Sequence, residues 1–493
     1  MIERLKDTLR DAFIYSLSNI APKIIGVVLL PIYTAYLSRA EFGSWDLLDV
    51  TTNILAEIFL LGQAASIIFI NNSNEYKDKK QTALFTLTLF LLSVCILLIL
   101  FSEFFITTFG NIFDNPVIKP IYLRIIVWIV LFRTLNNLFL SKYRADEKAL
   151  FFSSVSIVKL LIIAALTLYF LIKLNKGIEG IFFSALIGEA VVAIFLIIKL
   201  LGHFKLEFDM EILRFSIKFG VPLTFASLGI MLLNLSDRYI ITYLIGTEAN
   251  ALYGLGYRIA GILNMVLIMP FGLSLMPIAY KYYGQPDDKR FFSKIMTYST
   301  FLFIWGCIAI SLFSKEIVKI FSEKSEYYDA YLVVPVILIS YAFSGMRLTA
   351  SLGMMLTKNT KHIATITLGA AVLNIILNFI FIPYFGIMAA AFNTLIAFVL
   401  FYIITHIISN RYYKIPYEKR KIILLIVVGS VLSSFVYLLP ERIEYIFVKV
   451  VLIVLFPVIL YVLKFYETRE LEYIRNPKLL LLQFNNTITR NEK

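Results

Sequence analysis

Charged residues are scarce in this chain. Of its 493 residues, 16% are charged and 59% are hydrophobic, a balance that excludes an ordinary water-soluble protein. Cysteine is rarer still, and both Cys95 and Cys307 lie inside apolar runs. Neither a disulfide framework nor a metal site is therefore predicted. The sequence also lacks a Walker-type phosphate-binding loop, which argues against ATP hydrolysis, and it indicates no other cofactor.

Long apolar runs take the place of these features. Stretches near 20 residues recur from one end of the chain to the other, and each is long enough to cross about 30 Å of hydrocarbon. The runs are continuous rather than alternating, which excludes the strands of a membrane barrel. They predict an all-α polytopic membrane protein with about fourteen transmembrane helices, at 12–35, 44–70, 83–108, 120–141, 151–172, 178–201, 215–245, 250–280, 293–313, 330–353, 363–383, 385–408, 421–439 and 447–465.

The basic residues of the loops explain the formal net charge of +13. Lys and Arg gather in the polar breaks between alternate helices, and cytoplasmic loops of membrane proteins are enriched in both. This bias predicts a multi-pass protein of the bacterial cytoplasmic membrane with both termini in the cytoplasm, and no nucleic-acid partner. We call these breaks the basic connections: 71–81, 141–149, 203–214, 281–290 and 410–421.

The two halves of the chain repeat one another. KGIEGIFFSAL at 176–186 returns as FGIMAAAFNTL at 385–395, which aligns Gly177 with Gly386. Duplicated bundles that face each other are common in transporters, with the ligand site between them near mid-membrane. The repeat predicts an N-lobe of helices 1–6 at 1–205, a C-lobe of helices 7–12 at 206–410, and an unrepeated pair of helices with a cytoplasmic tail at 411–493.

Three passages carry a resemblance to known transporters. They are FGVPLTFASLGIMLLNLSDRYIITYLIGTEANALYGLGYRI (219–259), RADEKALFF (144–152) and IPYFGIMAAAFNTLIA (382–397). With this layout the chain resembles the polysaccharide flippases of the multidrug/oligosaccharidyl-lipid/polysaccharide (MOP) exporter superfamily, the Wzx-type O-antigen and capsule flippases. The resemblance implies two six-helix lobes around a central cavity, alternating access, and export of a lipid-linked glycan.

Ionisable residues inside the first helices predict part of a substrate cavity, because charged groups within a membrane rarely face lipid. Lys23 lies about halfway along helix 1, one turn beyond Asn19. Helix 2 carries Asp46, Asp49, Asn53 and Glu57 at spacings of three and four, which place them on a single face. We expect Lys23, Asn19 and Asn53 to contact substrate. Asp49 and Glu57 are candidates for proton coupling; a structural pair of Glu57 with Lys23 is the alternative.

Further candidates lie on helices 4 to 6. Arg133 precedes Asn137 by one helical turn, which favours a shared position on the cavity wall. Glu189 on helix 6 is a third candidate for coupling. Lys159 on helix 5 and Arg124 on helix 4 are weaker candidates for the cavity lining.

The C-lobe contributes Tyr257 and Arg258 on helix 8. Arg258 lies about eight residues into its helix, and the resemblance implies that it contacts a pyrophosphate. A planar guanidinium suits bidentate phosphate binding. The alternative is a pairing of Arg258 with Asp237 across the hairpin. Asp237 and Arg238 lie towards the outer end of helix 7 and are predicted to be a structural pair.

The leading interpretation is a flippase, not an enzyme, that moves undecaprenyl-pyrophosphate-linked oligosaccharides across the membrane for O-antigen or other lipopolysaccharide synthesis. Its partners are then that lipid-linked substrate, membrane lipids, and the polymerase and glycosyltransferases of the pathway. The alternative is a multidrug cation antiporter of the same superfamily, which predicts a cavity dominated by carboxylates. A membrane glycan polymerase or ligase is less favoured, since the external connections are too short to form a catalytic domain.

Overall fold

Helices make up nearly all of the structure. The computed structural model describes residues 21, 24–113, 115–322, 324–359, 361–440, 442 and 444–475. Within these residues, eleven helical segments are long and apolar enough to cross a membrane, or twelve if a bent pair is taken as one. The chain is thus an all-α multi-pass membrane protein. The helices are α1 (Ile24–Tyr36), α2 (Arg39–Leu60), α3 (Gln63–Asn72), α4 (Lys80–Leu100), α5 (Ser102–Phe113), α6 (Pro120–Ala145), α7 (Ala149–Leu168), α8 (Gly177–Leu200), α9 (Met210–Ile245), α10 (Thr247–Leu263), α11 (Met269–Tyr282), α12 (Asp288–Leu312), α13 (Ser314–Phe321), α14 (Val334–Ala350), α15 (Leu352–Leu356), α16 (Lys361–Tyr412), α17 (Lys419–Ser434), α18 (Glu444–Val462) and α19 (Thr468–Arg475).

Two predicted helices, at 363–383 and 385–408, form one 52-residue element, α16. Its two halves lie side by side, because Asn374 Nδ2 donates to Thr394 Oγ1 at 3.4 Å and Asn393 Nδ2 donates to Asn378 Oδ1 at 3.0 Å. The helix is kinked at Gly386, where φ is 60° and ψ is −143°. The two predicted spans therefore meet at this glycine.

Two predicted spans are interrupted. The span at 44–70 is broken at Leu61 and Gly62 into α2 and α3, which are bent by 44°. Both break residues have positive φ, 48° and 69°, which interrupts the helical hydrogen bonds. The span at 83–108 ends earlier, at Leu100, and α5 begins as a separate helix at Ser102.

Local sequence signals set several helix starts. Helix α2 opens on a capping box, in which Ser38 and Glu41 each bind the other's backbone N–H. Asp209 caps α9 by accepting two backbone N–H groups of its first turn. The Asp209 carboxylate also binds Lys79 Nζ at 2.8 Å, and that hydrogen bond lowers the pKa of Asp209.

The helices pack into two bundles. In the first bundle α6 packs on α2, α3 and α8, and α7 packs on α8; in the second, α16 packs on α9 and α14, while α12 packs on α14, α17 and α18. Each bundle has its own apolar core. A further apolar core joins Phe42 and Leu48 of α2 to Tyr253 of α10 and Val334 of α14. These four residues lie at the end of the bundles away from the basic connections, which we call the opposite end.

Helices α2 and α3 contact α9 along its length. Towards the opposite end, Thr51 Oγ1 lies 2.8 Å from the hydroxyl of Tyr239. At the break between α2 and α3, a Cβ atom on Gly220 would lie 2.5 Å from the carbonyl oxygen of Leu61. Nearer the basic connections, the Phe69 ring lies 5.2 and 5.3 Å from two phenylalanine rings of α9. This side of the molecule is closed at both ends.

Candidate functional site

Two cavities meet at α2. The central cavity, of about 550 Å³, lies between the bundles, and its lining includes Asp49, Asn53, Tyr257 and Arg258. The first-bundle cavity, of about 530 Å³, lies among α2, α3, α6, α7 and α8. Asp49 and Asn53 line both cavities, so the two cavities adjoin at these side chains.

Glu189 is the centre of the polar side of the first-bundle cavity. Its carboxylate accepts hydrogen bonds from Arg133 Nε at 3.1 Å and from Lys159 Nζ at 3.0 Å. Asn136 Nδ2 donates to the same carboxylate at 2.8 Å. Arg133 Nη1 also donates to Asn53 Oδ1 at 2.8 Å. Glu189 is almost fully buried, with 3% of its side chain exposed, and burial of a carboxylate requires such partners.

Asp46 links the two bundles through two arginines. Arg238 Nε donates to Asp46 Oδ2 at 2.6 Å, and Arg258 Nη2 donates to Asp46 Oδ1 at 2.7 Å. Arg258 also lies 3.3 Å from Asp49, and its guanidinium stacks over the Trp45 ring at 4.5 Å. Two carboxylates therefore balance two guanidiniums in this cluster. We call it the Asp46 cluster.

Asp237 occupies a separate polar network inside the second bundle. Its carboxylate accepts hydrogen bonds from Asn378 Nδ2 at 2.6 Å, from Thr394 Oγ1 at 2.7 Å and from the Tyr253 hydroxyl. Amide and hydroxyl donors thus hold this buried carboxylate. Arg238, the next residue, points instead to Asp46 in the first bundle.

Further contacts close the opposite end between the bundles. Asn250 Nδ2 donates to the carbonyl of Gly43 at 2.8 Å, and Lys324 Nζ donates to the carbonyl of Leu37 at 2.7 Å. A Cβ atom on Gly43 would lie only 1.8 Å from the Thr247 carbonyl oxygen, so α2 and α10 cross without space between their backbones. Together with the Asp46 cluster, these contacts form what we call the closed end.

The structure brings most of the predicted site residues to the cavities. Asn53, Tyr257 and Arg258 line the central cavity, while Arg133 and Glu189 line the first-bundle cavity. The hydroxyl of Tyr257 donates to Asn234 Oδ1 at 3.3 Å, and its ring lies under the Arg238 guanidinium at 4.7 Å.

Other predicted residues lie elsewhere. Lys23 and Asn19 fall outside the described residues. Glu57 accepts a hydrogen bond from the Ser227 hydroxyl of α9. The weaker candidate Arg124 is an exposed residue that pairs with Glu103 at 2.9 Å, because it lies in the first turns of α6, away from Arg133. Arg258 pairs with Asp46 and not with Asp237, which was the alternative partner expected from the sequence.

The sequence assigns no specific role to two residues that organise the site. Asp46 lies one turn before Asp49 on α2, and this spacing is a signal that the two share a face. Asn136 stands between the predicted pair Arg133 and Asn137. Nothing in the local sequence distinguishes its orientation towards α8.

Two family models match parts of the chain. The model described as polysaccharide biosynthesis protein matches residues 8–283, more than half of the sequence. The model described as MatE matches residues 222–380. No curated protein matches the sequence.

Solved structures share the fold. A lipid II flippase MurJ in an inward closed conformation has a TM-score of 0.72 at 16% identity, covering 95% of this chain and 100% of its own. An inward-facing multidrug resistance MATE family transporter has a TM-score of 0.61 at 14% identity, covering 83% and 95%. A MOP superfamily transporter from Pyrococcus furiosus, described as having a binding pocket of reverse polarity, has a TM-score of 0.55 at 15% identity, covering 84% and 96%. These low identities establish a common fold and nothing finer.

Proposed function

The chain belongs to the polysaccharide biosynthesis protein family, within the MOP superfamily, and from this membership we propose that it is a flippase for lipid-linked oligosaccharides. The proposed cargo is an undecaprenyl-pyrophosphate-linked unit that moves from the inner to the outer leaflet of the bacterial cytoplasmic membrane. Surface polysaccharide synthesis, including O-antigen, is the pathway that consumes such units. Its polymerase and glycosyltransferases are then functional partners.

The charge of the cavity lining carries this proposal. Removing an anionic, sugar-bearing head group from water costs much free energy unless fixed charges replace its hydration. The described lining of the two cavities contains four cationic side chains and two carboxylates: Arg133, Arg144, Lys159 and Arg258 against Asp49 and Glu189. This excess favours an anionic cargo over a cationic drug.

Alternating access is the proposed mechanism, with the closed end as the outer gate. The basic connections would face the cytoplasm, together with both termini, so the contacts at the opposite end would seal the outer side. Rocking of the two bundles would open that end and close the other. The tail of the lipid remains in the bilayer, since the central cavity lies between α1 and α10.

The predicted site residues keep proposed roles within this mechanism. Asn53, Tyr257 and Arg258 contact the head group in the central cavity, as would Lys23 and Asn19 on helix 1. Asp237 and Arg238 have structural roles, although with different partners.

Among the predicted coupling carboxylates, Asp49 and Glu189 are each engaged by cations. Glu57 has no cationic partner within the part of the chain that the structure describes. It is therefore the coupling candidate that we favour.

A multidrug cation antiporter remains the second candidate function. The match of the MatE model to residues 222–380 favours it, as does the buried Asp237 carboxylate, which is held by neutral donors. Such a transporter uses carboxylates to attract its cargo.

Reconstitution distinguishes the two functions. Purified protein in liposomes should move a fluorescent undecaprenyl-pyrophosphate oligosaccharide to the dithionite-accessible leaflet, and it should not accumulate ethidium under a proton or sodium gradient. Arg258→Ala should slow lipid movement, because it removes a cavity guanidinium, whereas Arg124→Ala should not. Ethidium transport without lipid movement would replace the flippase with the antiporter.

A further inference from the structure

The first-bundle cavity contains an incompletely neutralised cationic centre. Arg133 and Lys159 share one carboxylate, Glu189. The other nearby carboxylate, Asp49, lies 3.3 Å from Arg258, which itself belongs to the neutral Asp46 cluster. The Arg133–Lys159–Glu189 centre therefore retains one positive charge, and Arg144 adds a further cation to the lining.

The geometry leaves donors available to a ligand on the cavity side. Asn136 holds Glu189 from the protein interior, with Nδ2 bonded both to its carboxylate and to its backbone carbonyl. A guanidinium carries five N–H donors and an ammonium three. Within the described residues, Glu189 and Asn53 are the hydrogen-bond partners of Arg133, and Glu189 is that of Lys159.

The second bundle shows that the fold does not require a charged centre at this position. Counting from the aligned residues Gly177 and Gly386, Glu189 corresponds to Phe398 and Lys159 to Leu368. Phe398 is a buried core residue. Buried ion pairs are often replaceable by apolar side chains without loss of stability. A charged centre confined to one of two repeats is therefore better explained by binding than by folding.

The centre is also accessible from the cargo path. Asn53 lines both cavities and accepts a hydrogen bond from Arg133 Nη1. An anionic group that enters the central cavity thus reaches Arg133 by passing one polar side chain. Arg258 is less available, since it already binds Asp46 and Asp49.

We propose that the first-bundle cavity is an anion subsite, in which Arg133 and Lys159 bind an anionic group of the cargo. Glu189 competes for the same two cations and so lowers the affinity for that group. This inference rests on the proposed flippase function and deepens it. The shared chemistry is an oxyanion bound by charge-assisted hydrogen bonds. Its source is either the diphosphate of the lipid or a carboxylate on an acidic sugar.

Binding to the purified full-length protein in detergent, at low salt, tests the subsite. Farnesyl diphosphate and a glucuronic acid disaccharide are the two anionic probes, and farnesol and the corresponding glucose disaccharide are their neutral controls. Arg133→Gln and Lys159→Gln should each weaken binding of the recognised anion about tenfold or more. Glu189→Gln should strengthen it, because the competing carboxylate is removed.

Arg124→Gln is the matched control, since it removes an exposed arginine from the same helix. It should leave both affinities within about twofold. The gain of affinity in Glu189→Gln separates binding from folding, because a merely destabilised protein would not bind more tightly.

Each pattern of results has one meaning. Loss of farnesyl diphosphate binding in Arg133→Gln and Lys159→Gln supports the subsite and assigns it to the lipid diphosphate; loss of glucuronide binding assigns it to the glycan. Wild-type affinity for both anions in these variants, in a protein that still flips lipid-linked oligosaccharide, overturns the subsite and leaves the flippase intact. Failure of the unmodified protein to flip that lipid removes the function itself.

Discussion

Asp237 and Arg238 are adjacent in the sequence, yet their side chains serve different bundles. Arg238 binds Asp46 of α2, and Asp237 binds Asn378 and Thr394 of α16. Successive residues of a helix point about 100° apart, so neighbouring opposite charges seldom pair with each other. The sequence predicts that both side chains are structural, but the choice of partner depends on which helices flank α9.

Replacement of Asp46 by asparagine should strongly destabilise the contact between the bundles. The substitution leaves the buried Arg238 and the partly exposed Arg258 without their shared carboxylate, and breaking a buried ion pair from one side costs about 3–5 kcal/mol. We expect a large drop in the thermal unfolding temperature of the purified protein, measured by size-exclusion recovery after heating.

Asp49→Asn is the matched control on the same helix. Asp49 shares Arg258 with Asp46, but 36% of its side chain is exposed, and Arg258 retains Asp46 in this variant. Its cost should stay below about 1 kcal/mol. Equal losses of stability in the two variants would show that the Asp46 cluster does not join the bundles.

Among the elements, α2, α3 and α9 show where sequence patterns succeed and fail. The continuous apolar run at 44–70 predicts one span, whereas Leu61 and Gly62 break it. Leucine rarely has positive φ, so the residue at position 61 does not predict a break in the helix. By contrast, Gly177 and Gly386, aligned by the repeat, both have positive φ, at 55° and 60°. Here the repeated sequence predicts a repeated backbone conformation.

The crossing of α3 and α9 should depend on Gly220. In Gly220→Ala the new Cβ atom would lie 2.5 Å from the Leu61 carbonyl oxygen, and a backbone atom cannot move aside as a side chain can. The helices must therefore separate, at a cost of about 1–3 kcal/mol. The thermal unfolding temperature in detergent measures this loss.

Gly229→Ala on the same helix provides the comparison. Its Cβ atom would meet the end of the Leu368 side chain at 3.0 Å, which can rotate away, and alanine favours the helix. We expect a stability within about 1 kcal/mol of the unmodified protein. A destabilisation as large as that of Gly220→Ala would contradict the close backbone crossing as its cause.

For the whole molecule, the two bundles carry different polar centres. The first has the cationic centre around Glu189, and the second has the Asp237 network. Apolar run lengths predict the all-α fold and its spans, because the bilayer thickness sets them. The repeat predicts the internal symmetry. Neither predicts which polar residues of each half face a cavity, because that choice depends on the packing of non-adjacent helices.

The closed end also predicts from which side the cavity is accessible. Asn53→Cys should react with a membrane-impermeant thiol reagent applied to the cytoplasmic side and not to the outer side, because Asn53 is exposed in the cavities. The native thiols, Cys95 and Cys307, are both buried, so background labelling should be low. Labelling in inside-out vesicles and in whole cells measures the difference.

Thr52→Cys is the control at the neighbouring position. Thr52 is buried, with 2% of its surface exposed, and should stay unlabelled from either side. Preferential labelling of Asn53→Cys from outside the cell would reverse the assigned orientation of the gate.

The continuous contact of α2 and α3 with α9 makes lateral entry one-sided. Among the described residues, the other edge, between α1 and α10, has nothing within 4 Å of a Cβ atom placed on Gly26. Under the proposed flippase function, we expect the lipid to approach at this seam, with its tail outside the protein along a single face. Such a carrier is then expected to select its cargo by the head group and to be insensitive to the length of the tail.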